Sequence, residues 1–309
     1  MGARAHLTVR ATGLLAAAAL TTSAALALTA PSSGASVTPS ASLRAAATPT
    51  AGGPGGVGAK AAAVENASTG ALLWSRELNT DRPMGSITKV MTALVVIRAG
   101  GLGRKITIPY AAVAYAREHG ASSADLRAGD ELTVRQLLEG LMLPSGCDAA
   151  YVLAEAYGPG LSAFVAKMNA TAKLMGLTRT HFANFDGLPW PTEHATYSTA
   201  ANLLTLGRAA MKSAVFRTIA DQRSYRIAAG SGHHAYLWRN TDPLLGTYRW
   251  ATGIKTGYTL AAGHCLLFEA TRNGYSLIGV TLDSPGSGTT VSGADPTRIL
   301  NWAFGLPST

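Results

Sequence analysis

The order of strand-like and helix-like patterns along the chain constrains its fold most. Short apolar runs bounded by turn residues, which are typical of β-strands, lie at both ends of the region 60–305, and helical patterns fill its middle. The strand-like runs are residues 61–65, 70–74, 224–227, 251–257, 265–271 and 276–282. We expect the first and last strands to share one antiparallel sheet, with the helical block inserted between them. This order predicts an α+β fold whose sheet and helices enclose a cleft, the usual place for a site.

Helix starts and stops are marked by polar caps and by glycine or proline. Thr133, Asp148 and Ser198 are predicted to cap three of the helices, and Pro296 to start the last one. The predicted helices run from 86 to 100, from 133 to 144, and over 147–157, 161–175, 199–211 and 297–304. Residues 110–128 show no clear pattern.

The amino-terminal segment differs in composition from the rest of the chain. A basic start is followed by an uncharged run over residues 11–28 that ends in small residues, which is typical of an export signal. We expect residues 1–30 to be a signal peptide, with an uncleaved membrane anchor as the alternative. Residues 31–58 are rich in Ala, Ser, Thr, Pro and Gly and are predicted to be a flexible linker. The folded domain is therefore expected over 59–309.

The charge balance restricts the partners of an exported chain. The net charge is +9, which favours anionic surfaces such as membrane or cell-wall polymer. Arginines and aromatic residues are not interleaved as in nucleic-acid modules, so no nucleic-acid partner is expected. We expect a monomer, associated with the membrane only if the signal stays uncleaved.

Cysteine and histidine positions say little by themselves. Export permits a disulfide between Cys147 and Cys265, but their spacing does not decide whether one forms. The adjacent pair His233 and His234 has no spaced third ligand, so we expect no metal site.

The pair Ser86 and Lys89 stands at the start of a predicted buried helix. Positions i and i+3 share a helix face, so the serine hydroxyl and the lysine amine can meet there. A serine is a weak nucleophile that needs an adjacent base, and this lysine is placed to be one. The alternative is a helix cap followed by an exposed lysine, so the pair needs further partners.

Two more clusters follow in the chain: Ser145-Gly146-Cys147 between two predicted helices, and Lys255-Thr256-Gly257 at the end of a predicted strand. With Ser86-Ile87-Thr88-Lys89 they resemble the three motifs of the penicillin-recognising serine enzymes. The flanking sequences are similar to the D-alanyl-D-alanine carboxypeptidases of low molecular mass, the S11 peptidase family. The third residue of the second motif is Cys147 instead of the usual asparagine, as in some actinomycete members.

The resemblance implies a β-lactamase/transpeptidase-like fold. Its five-stranded antiparallel sheet would be flanked by terminal helices and would carry an inserted all-helical subdomain. It implies a serine D-Ala-D-Ala carboxypeptidase that cleaves peptidoglycan stem peptides through an acyl-enzyme, without a metal or cofactor. β-Lactams would be covalent inhibitors, and the protein would act outside the cytoplasmic membrane, at the cell wall.

The same resemblance implies a role for each site residue. Ser86 would be the nucleophile, Lys89 its base, and Ser145 a proton relay to the leaving amine. Lys255 and Thr256 would bind the terminal carboxylate of the substrate, and Gly257 would leave room for the peptide along the strand. The backbone N–H groups of Ser86 and Tyr258 would form the oxyanion hole.

Two features leave alternatives open. A thiol donates and accepts hydrogen bonds more weakly than an amide, so Cys147 weakens a contact to the substrate peptide and leaves transpeptidation possible as the main activity. A class A-type β-lactamase would need a positioned glutamate, and the loop 182–194 contains Glu193. A non-enzymatic wall-binding protein is disfavoured by the intact serines and lysines.

Overall fold

A computed structural model describes residues 52–288 and 290–307, all of which belong to one compact unit. The strands are β1 Ala61–Asn66, β2 Leu72–Arg76, β3 Lys105–Thr107, β4 Glu131–Thr133, β5 Ser224–Ile227, β6 Tyr236–Arg239, β7 Ala251–Thr259, β8 Gly263–Arg272 and β9 Tyr275–Ser284. The helices are α1 Lys89–Ala99, α2 Tyr110–Glu118, α3 Val134–Met142, α4 Cys147–Tyr157, α5 Leu161–Leu174, α6 Ala200–Met211, α7 Ala214–Ala220, α8 Leu244–Thr247 and α9 Ala294–Ala303. A 3-10 helix, Gly85–Thr88, leads directly into α1.

The central sheet has the strand order β2-β1-β9-β8-β7, and each neighbouring pair is antiparallel. Strand β1 lies between β2 and β9, with Val64 opposite Trp74 on one side and Gly279 on the other. The first and last strands therefore share one sheet, which confirms the expectation from the sequence. Helices α1 to α7 follow β2 and precede β7 in the chain, as an inserted block.

Both faces of this sheet are covered. Successive side chains of a strand point to opposite faces. Ala61 and Ala63 pack in the large core that includes the helical block, whereas Ala62 and Val64 pack in a second core with α9. This alternation explains why β1 reads as a continuous apolar run even though its sheet is antiparallel.

Helix α1 is the centre of the helical block. It contacts α3, α4, α5 and α6, and residues 89–94 are all buried. A helix segment that is surrounded on all sides needs apolar residues on all sides, and the buried residues 89–94 are apolar except at Lys89 and Thr92. Lysine is almost never fully buried unless it is paired, so the position of Lys89 calls for a partner.

Some predicted helix caps differ from the structure. Thr133 caps α3 as expected, and its partner Gln136 completes a capping box. Helix α6 is capped by Thr199, whose hydroxyl accepts from Asn202 N at 3.1 Å, so the prediction of Ser198 as cap was wrong. The backbone of Ser198 instead forms an isolated β-bridge with Arg82, two residues before the first residue of the helix.

Two further helix starts were also misplaced. Asp148 is not the cap of α4, because that helix begins one residue earlier; its carboxylate instead accepts from the N–H groups of Ala124 and Leu126. Helix α9 begins at Ala294, so Pro296 lies within its first turn. The missing N–H of proline is no loss there, since the first N–H groups of a helix have no partner inside it.

The domain begins before the predicted boundary at residue 59. Val57 is buried, and the N–H groups of Gly58 and Ala59 donate to the Asp295 carboxylate at 2.9 and 2.8 Å. The last residues of the predicted linker therefore pack on α9. The predicted signal peptide and the linker up to residue 51 lie outside the described residues.

Across 52–288 and 290–307, no helix has both the length and the apolar character needed to cross a membrane. Cys147 and Cys265 are both buried and both free.

Candidate active site

Ser86 lies where the 3-10 helix crosses the end of β7, and two glycines permit this contact. A Cβ on Gly85, which has φ +52°, would lie 2.8 Å from the backbone nitrogen of Tyr258. A Cβ on Gly257 would lie 2.2 Å from Met84 O. Gly257 is therefore required for packing against residues 84–87. The sequence analysis had instead explained this glycine by the room that a bound peptide needs. The packing also brings the Ser86 turn beside the β7 backbone.

The Ser86 hydroxyl and the Lys89 amine meet as predicted. The distance from Lys89 Nζ to Ser86 Oγ is 2.8 Å. Lys89 is fully buried, whereas Ser86 is only partly buried. The alternative of a cap followed by an exposed lysine is therefore wrong. Lys89 Nζ also donates to the carbonyl of Asp186 at 3.0 Å and contacts Cys147 Sγ at 3.3 Å, so three neighbours hold the amine.

Cys147 faces the amine of Lys89 from the first turn of α4. Burial raises the pKa of this thiol to about 12, although the nearby Lys89 charge acts in the opposite direction. A thiol that stays protonated is a poor nucleophile. Its contacts are weak ones, with Lys89 and with Ser122 Oγ at 3.8 Å. Cys147 therefore lies beside Lys89, a contact that was not predicted from the sequence, and its protonated thiol is not a second nucleophile.

Ser145 is held in a strained backbone conformation. Its φ of +66° lies in the left-handed region, which is uncommon for residues other than glycine. The Ser122 hydroxyl donates to its carbonyl at 2.6 Å. In the described part of the chain its own Oγ is buried and has no hydrogen-bond partner. A buried hydroxyl without a partner is available to hydrogen-bond a bound ligand or to take part in a proton relay.

Lys255, on β7, is a second buried amine of the site. Its Nζ donates to the carbonyl and to the hydroxyl of Thr256, both at 3.2 Å. Burial, together with the charge of Lys89, lowers the pKa of Lys255 to about 7, while Asp242 acts in the opposite direction. An anionic ligand would relieve this and favour the protonated amine.

Asp242 is the carboxylate that supports Lys255. It is buried, and its Oδ1 accepts from Leu244 N at 2.9 Å. Burial raises the pKa of Asp242 to about 6, although the charge of Lys255 lowers it. The neighbouring Thr241 hydroxyl pairs with that of Thr256 at 2.7 Å. The sequence analysis assigned no role to Asp242, so this neighbour of Lys255 was missed.

Asp186 was also missed by sequence reasoning. It is fully buried on the loop between α5 and α6, and its backbone carbonyl contacts Lys89. Its carboxylate accepts from Tyr115 OH at 2.9 Å. The available signal was an acidic residue and a glycine inside the apolar stretch Phe185-Asp186-Gly187-Leu188. Glu193 on the same loop is exposed, so it is not the residue that reaches the lysine.

The described residues hold no group of three or more His, Cys, Asp or Glu side chains that is arranged to bind a metal. His234 pairs with Asp130 at 2.8 Å, and the ring of His233 contacts the carbonyl of His234 at 2.9 Å. His234 therefore connects the loop between β5 and β6 to the residue before β4, whereas His233 contacts its own loop.

Comparison with known proteins gives consistent results. Residues 46–286 match the family described as peptidase S11, D-alanyl-D-alanine carboxypeptidase. A D-alanyl-D-alanine carboxypeptidase of Streptomyces sp. (strain K15) is 42% identical over 253 residues, which cover 78% of this chain and 85% of the relative. The D-alanyl-D-alanine carboxypeptidase DacB2 of Mycobacterium tuberculosis is 36% identical over 215 residues, covering 70% of this chain and 71% of the relative.

The fold agrees as well. The crystal structure of the Streptomyces K15 DD-transpeptidase matches with a TM-score of 0.74 and 40% identity, over 81% of this chain and 98% of that chain. The expected β-lactamase/transpeptidase-like fold, with its five-stranded antiparallel sheet and inserted helices, is confirmed. Since the family match spans most of the chain, this protein belongs to the S11 peptidases and is a serine-type D-alanyl-D-alanine carboxypeptidase.

Proposed function

We propose that this protein cleaves the terminal D-alanine from peptidoglycan stem peptides, with Ser86 as nucleophile and Lys89 as its base. The observation that carries this proposal is the 2.8 Å contact between Ser86 Oγ and Lys89 Nζ, with a buried amine and a more accessible hydroxyl. An amine at that distance can take the hydroxyl proton as the oxygen attacks.

The reaction has two steps. Ser86 Oγ bonds to the carbonyl carbon of the penultimate D-alanine while its proton passes to Lys89. The C–N bond to the terminal D-alanine then breaks, the leaving amine takes a proton, and an ester on Ser86 remains. Water attacks this ester in the second step, which returns the proton to Ser86 and releases the shortened peptide.

The lysine on β7 would hold the free carboxylate of the substrate. Lys255 and Thr256 lie in the middle of this strand, and an anion bound there would offset the charge of the buried amine. Tyr258 N lies beside the Gly85–Ser86 turn, which supports an oxyanion hole made by the N–H groups of Ser86 and Tyr258. A β-lactam would acylate Ser86 through the same groups.

Cys147 contacts Lys89 from the helical side, and Ser145 lies two residues before Cys147 in the chain. The unpartnered Ser145 hydroxyl supports a proton relay between the lysines and the leaving amine, completed only when substrate is bound. Cys147 would contact the substrate peptide weakly, since a thiol is a poor donor and acceptor.

The second candidate activity is transpeptidation, in which an amine of another stem peptide replaces water. It is favoured by the Streptomyces K15 structure, whose protein is called a DD-transpeptidase. Supplying a stem peptide with and without an amine acceptor, and separating the products, distinguishes the two outcomes.

We further propose that the protein is exported and acts at the cell wall as a monomer. The basic, then uncharged amino-terminal segment supports an export signal over residues 1–30. The homologous enzymes act on the wall, outside the cytoplasm. Sequencing the amino terminus of the protein recovered from cells tests whether the signal is removed.

The central test is covalent labelling. Labelled penicillin is expected to add its mass once to the wild-type protein and not to the Ser86→Ala variant. Lys89→Ala is expected to fold and to lose acylation, whereas Lys105→Ala, which removes an exposed lysine, should label normally. Labelling of Ser86→Ala, or a normal rate in Lys89→Ala, would contradict the assigned roles.

A further inference from the structure

We propose that Tyr115 and Asp186 are positioning residues for the base: the Tyr115 hydroxyl holds the Asp186 carboxylate, and this holds the Asp186 carbonyl against Lys89 Nζ. The inference rests on the proposed role of Lys89. It adds a pair of residues outside the three motifs to the acylation of Ser86.

The contacts form one continuous chain. Lys89 Nζ donates to Asp186 O at 3.0 Å, and both carboxylate oxygens of Asp186 are occupied. Oδ2 accepts from Tyr115 OH at 2.9 Å, and Oδ1 accepts from Leu188 N at 3.1 Å. With its side chain fixed at both oxygens, Asp186 has little freedom to rotate its own carbonyl away from the lysine.

The same occupancy indicates that Asp186 is not the base itself. Its carboxylate faces Tyr115 and Leu188, and it is the carbonyl that faces the amine. Asp186 is also fully buried, so its carboxylate is not placed to activate water from the solvent. Burial and the adjacent Asp186 also raise the pKa of Tyr115, so its hydroxyl remains a donor to this carboxylate.

The loop that carries Asp186 is fixed to α1 at two successive carbonyls. Thr92 Oγ1 donates to Phe185 O at 2.5 Å, one turn of α1 beyond the contact of Lys89 with Asp186. A Cβ on Gly187 would lie 2.0 Å from Gly85 O, so the loop also lies directly against the turn that carries Ser86. A shift of Asp186 would therefore be felt at both the base and the nucleophile.

Tyr115 brings α2 into this arrangement. Its ring contacts Phe185 and Tyr151 with centroids 5.5 and 5.4 Å apart. Tyr151 belongs to the same aromatic cluster but does not bond to Asp186. The two tyrosines therefore separate the effect of the hydroxyl bond from that of ring packing.

The test compares Tyr115→Phe with the matched variant Tyr151→Phe in the full protein, with labelled penicillin as the probe. In Tyr115→Phe the acylation rate constant at saturating penicillin should fall by roughly tenfold to a hundredfold, as for a misplaced catalytic group. The penicillin concentration that gives half the maximal rate should stay the same, because Lys255 and Thr256 are untouched. Tyr151→Phe should acylate at the wild-type rate.

A merely structural role predicts a different pattern. It would lower the fraction of protein that labels, whereas positioning lowers the rate and leaves one label per protein at the end point. Asp186→Asn keeps an acceptor for Tyr115 and should retain more of the rate than Asp186→Ala.

A wild-type rate in Tyr115→Phe would overturn this inference. If Lys89→Ala still fails to acylate in the same experiment, the proposed role of the base stands without it. Labelling of Ser86→Ala would instead overturn the proposed function.

Discussion

The buried amine of Lys255, which is proposed to bind substrate, should lower the stability of the folded protein. Its pKa falls from the ordinary value of 10.5 to about 7 on folding, mainly because the charged form is desolvated. Each unit of such a shift corresponds to about 1.4 kcal/mol, so the lysine charge costs the folded state about 4 kcal/mol at pH 7. Replacing Lys255 by methionine, which has a similar shape, removes this cost.

Two losses reduce the gain. The variant gives up the hydrogen bonds to Thr256, which together contribute about 1–2 kcal/mol. Asp242 loses its cation and should take up a proton more readily, at a cost of about 1 kcal/mol. The free energy of unfolding of Lys255→Met is therefore expected to exceed that of wild type by about 1–2 kcal/mol at pH 7.

The pH dependence identifies the cause. Between pH 7 and 10.5 the unfolded wild-type chain binds more protons at Lys255 than the folded one, so wild-type stability rises with pH there. The advantage of Lys255→Met should therefore be largest below pH 7, and should shrink by about 1.4 kcal/mol per unit well above pH 7.

Urea unfolding at several pH values measures both quantities. Lys105→Met serves as the control, because Lys105 is exposed and its loss should change stability by less than about 0.5 kcal/mol. If Lys255→Met is less stable than wild type at pH 7, or its difference from wild type does not vary with pH, the reasoning about the buried amine is refuted.

Three further predictions follow from the same contacts. The KM for substrates with a free carboxylate should rise about fivefold from pH 7 to pH 8, because Lys255 loses its charge as the pH passes its pKa of about 7. In steady-state kinetics, carboxyl-amidated substrates should show no such rise in KM. An equal rise for both substrates would contradict the proposed role of this amine. Gly187→Ala should lower the free energy of unfolding by more than about 2 kcal/mol and slow penicillin acylation, because the new Cβ would lie 2.0 Å from Gly85 O; a variant with wild-type melting and labelling would show that the loop can move. Thr199→Ala should lower the free energy of unfolding by about 1 kcal/mol through loss of the α6 cap, whereas Ser198→Ala should lower it by less. Thermal melting of the two variants shows which residue caps the helix.

The general architecture could be predicted from the chain because it depends on local patterns. The strand-like runs 265–271 and 276–282 predicted two strands, and β8 and β9 form them with an Asn273-Gly274 turn between, where φ is +51° and +78°. The spacing of Ser86 and Lys89 predicted their contact, since positions three apart are neighbours on any helical turn. These features need no knowledge of distant segments.

The first residues of the helices were predicted less reliably, because they depend on contacts with distant segments. Several polar residues compete for each cap, and the neighbouring segment selects one of them. The backbone of Ser198 forms a β-bridge, so Thr199 caps α6. The carboxylate of Asp148 accepts a hydrogen bond from Ala124 N instead of capping α4. Such choices depend on where remote backbone groups lie.

The sequence by itself determined which residues carry the proposed chemistry: a serine, a lysine as its proposed base and a lysine proposed to bind a carboxylate, in a fixed order along one chain. The tertiary structure decided what holds Lys89 in place and what lowers the pKa of Lys255. Tyr115 lies in a stretch without a clear pattern and Asp186 in a loop, yet the fold joins them next to Lys89, 71 positions apart. Burial is a property of the packed chain, so the lowered pKa of Lys255 and the dependence on Asp242 could not be seen in the sequence.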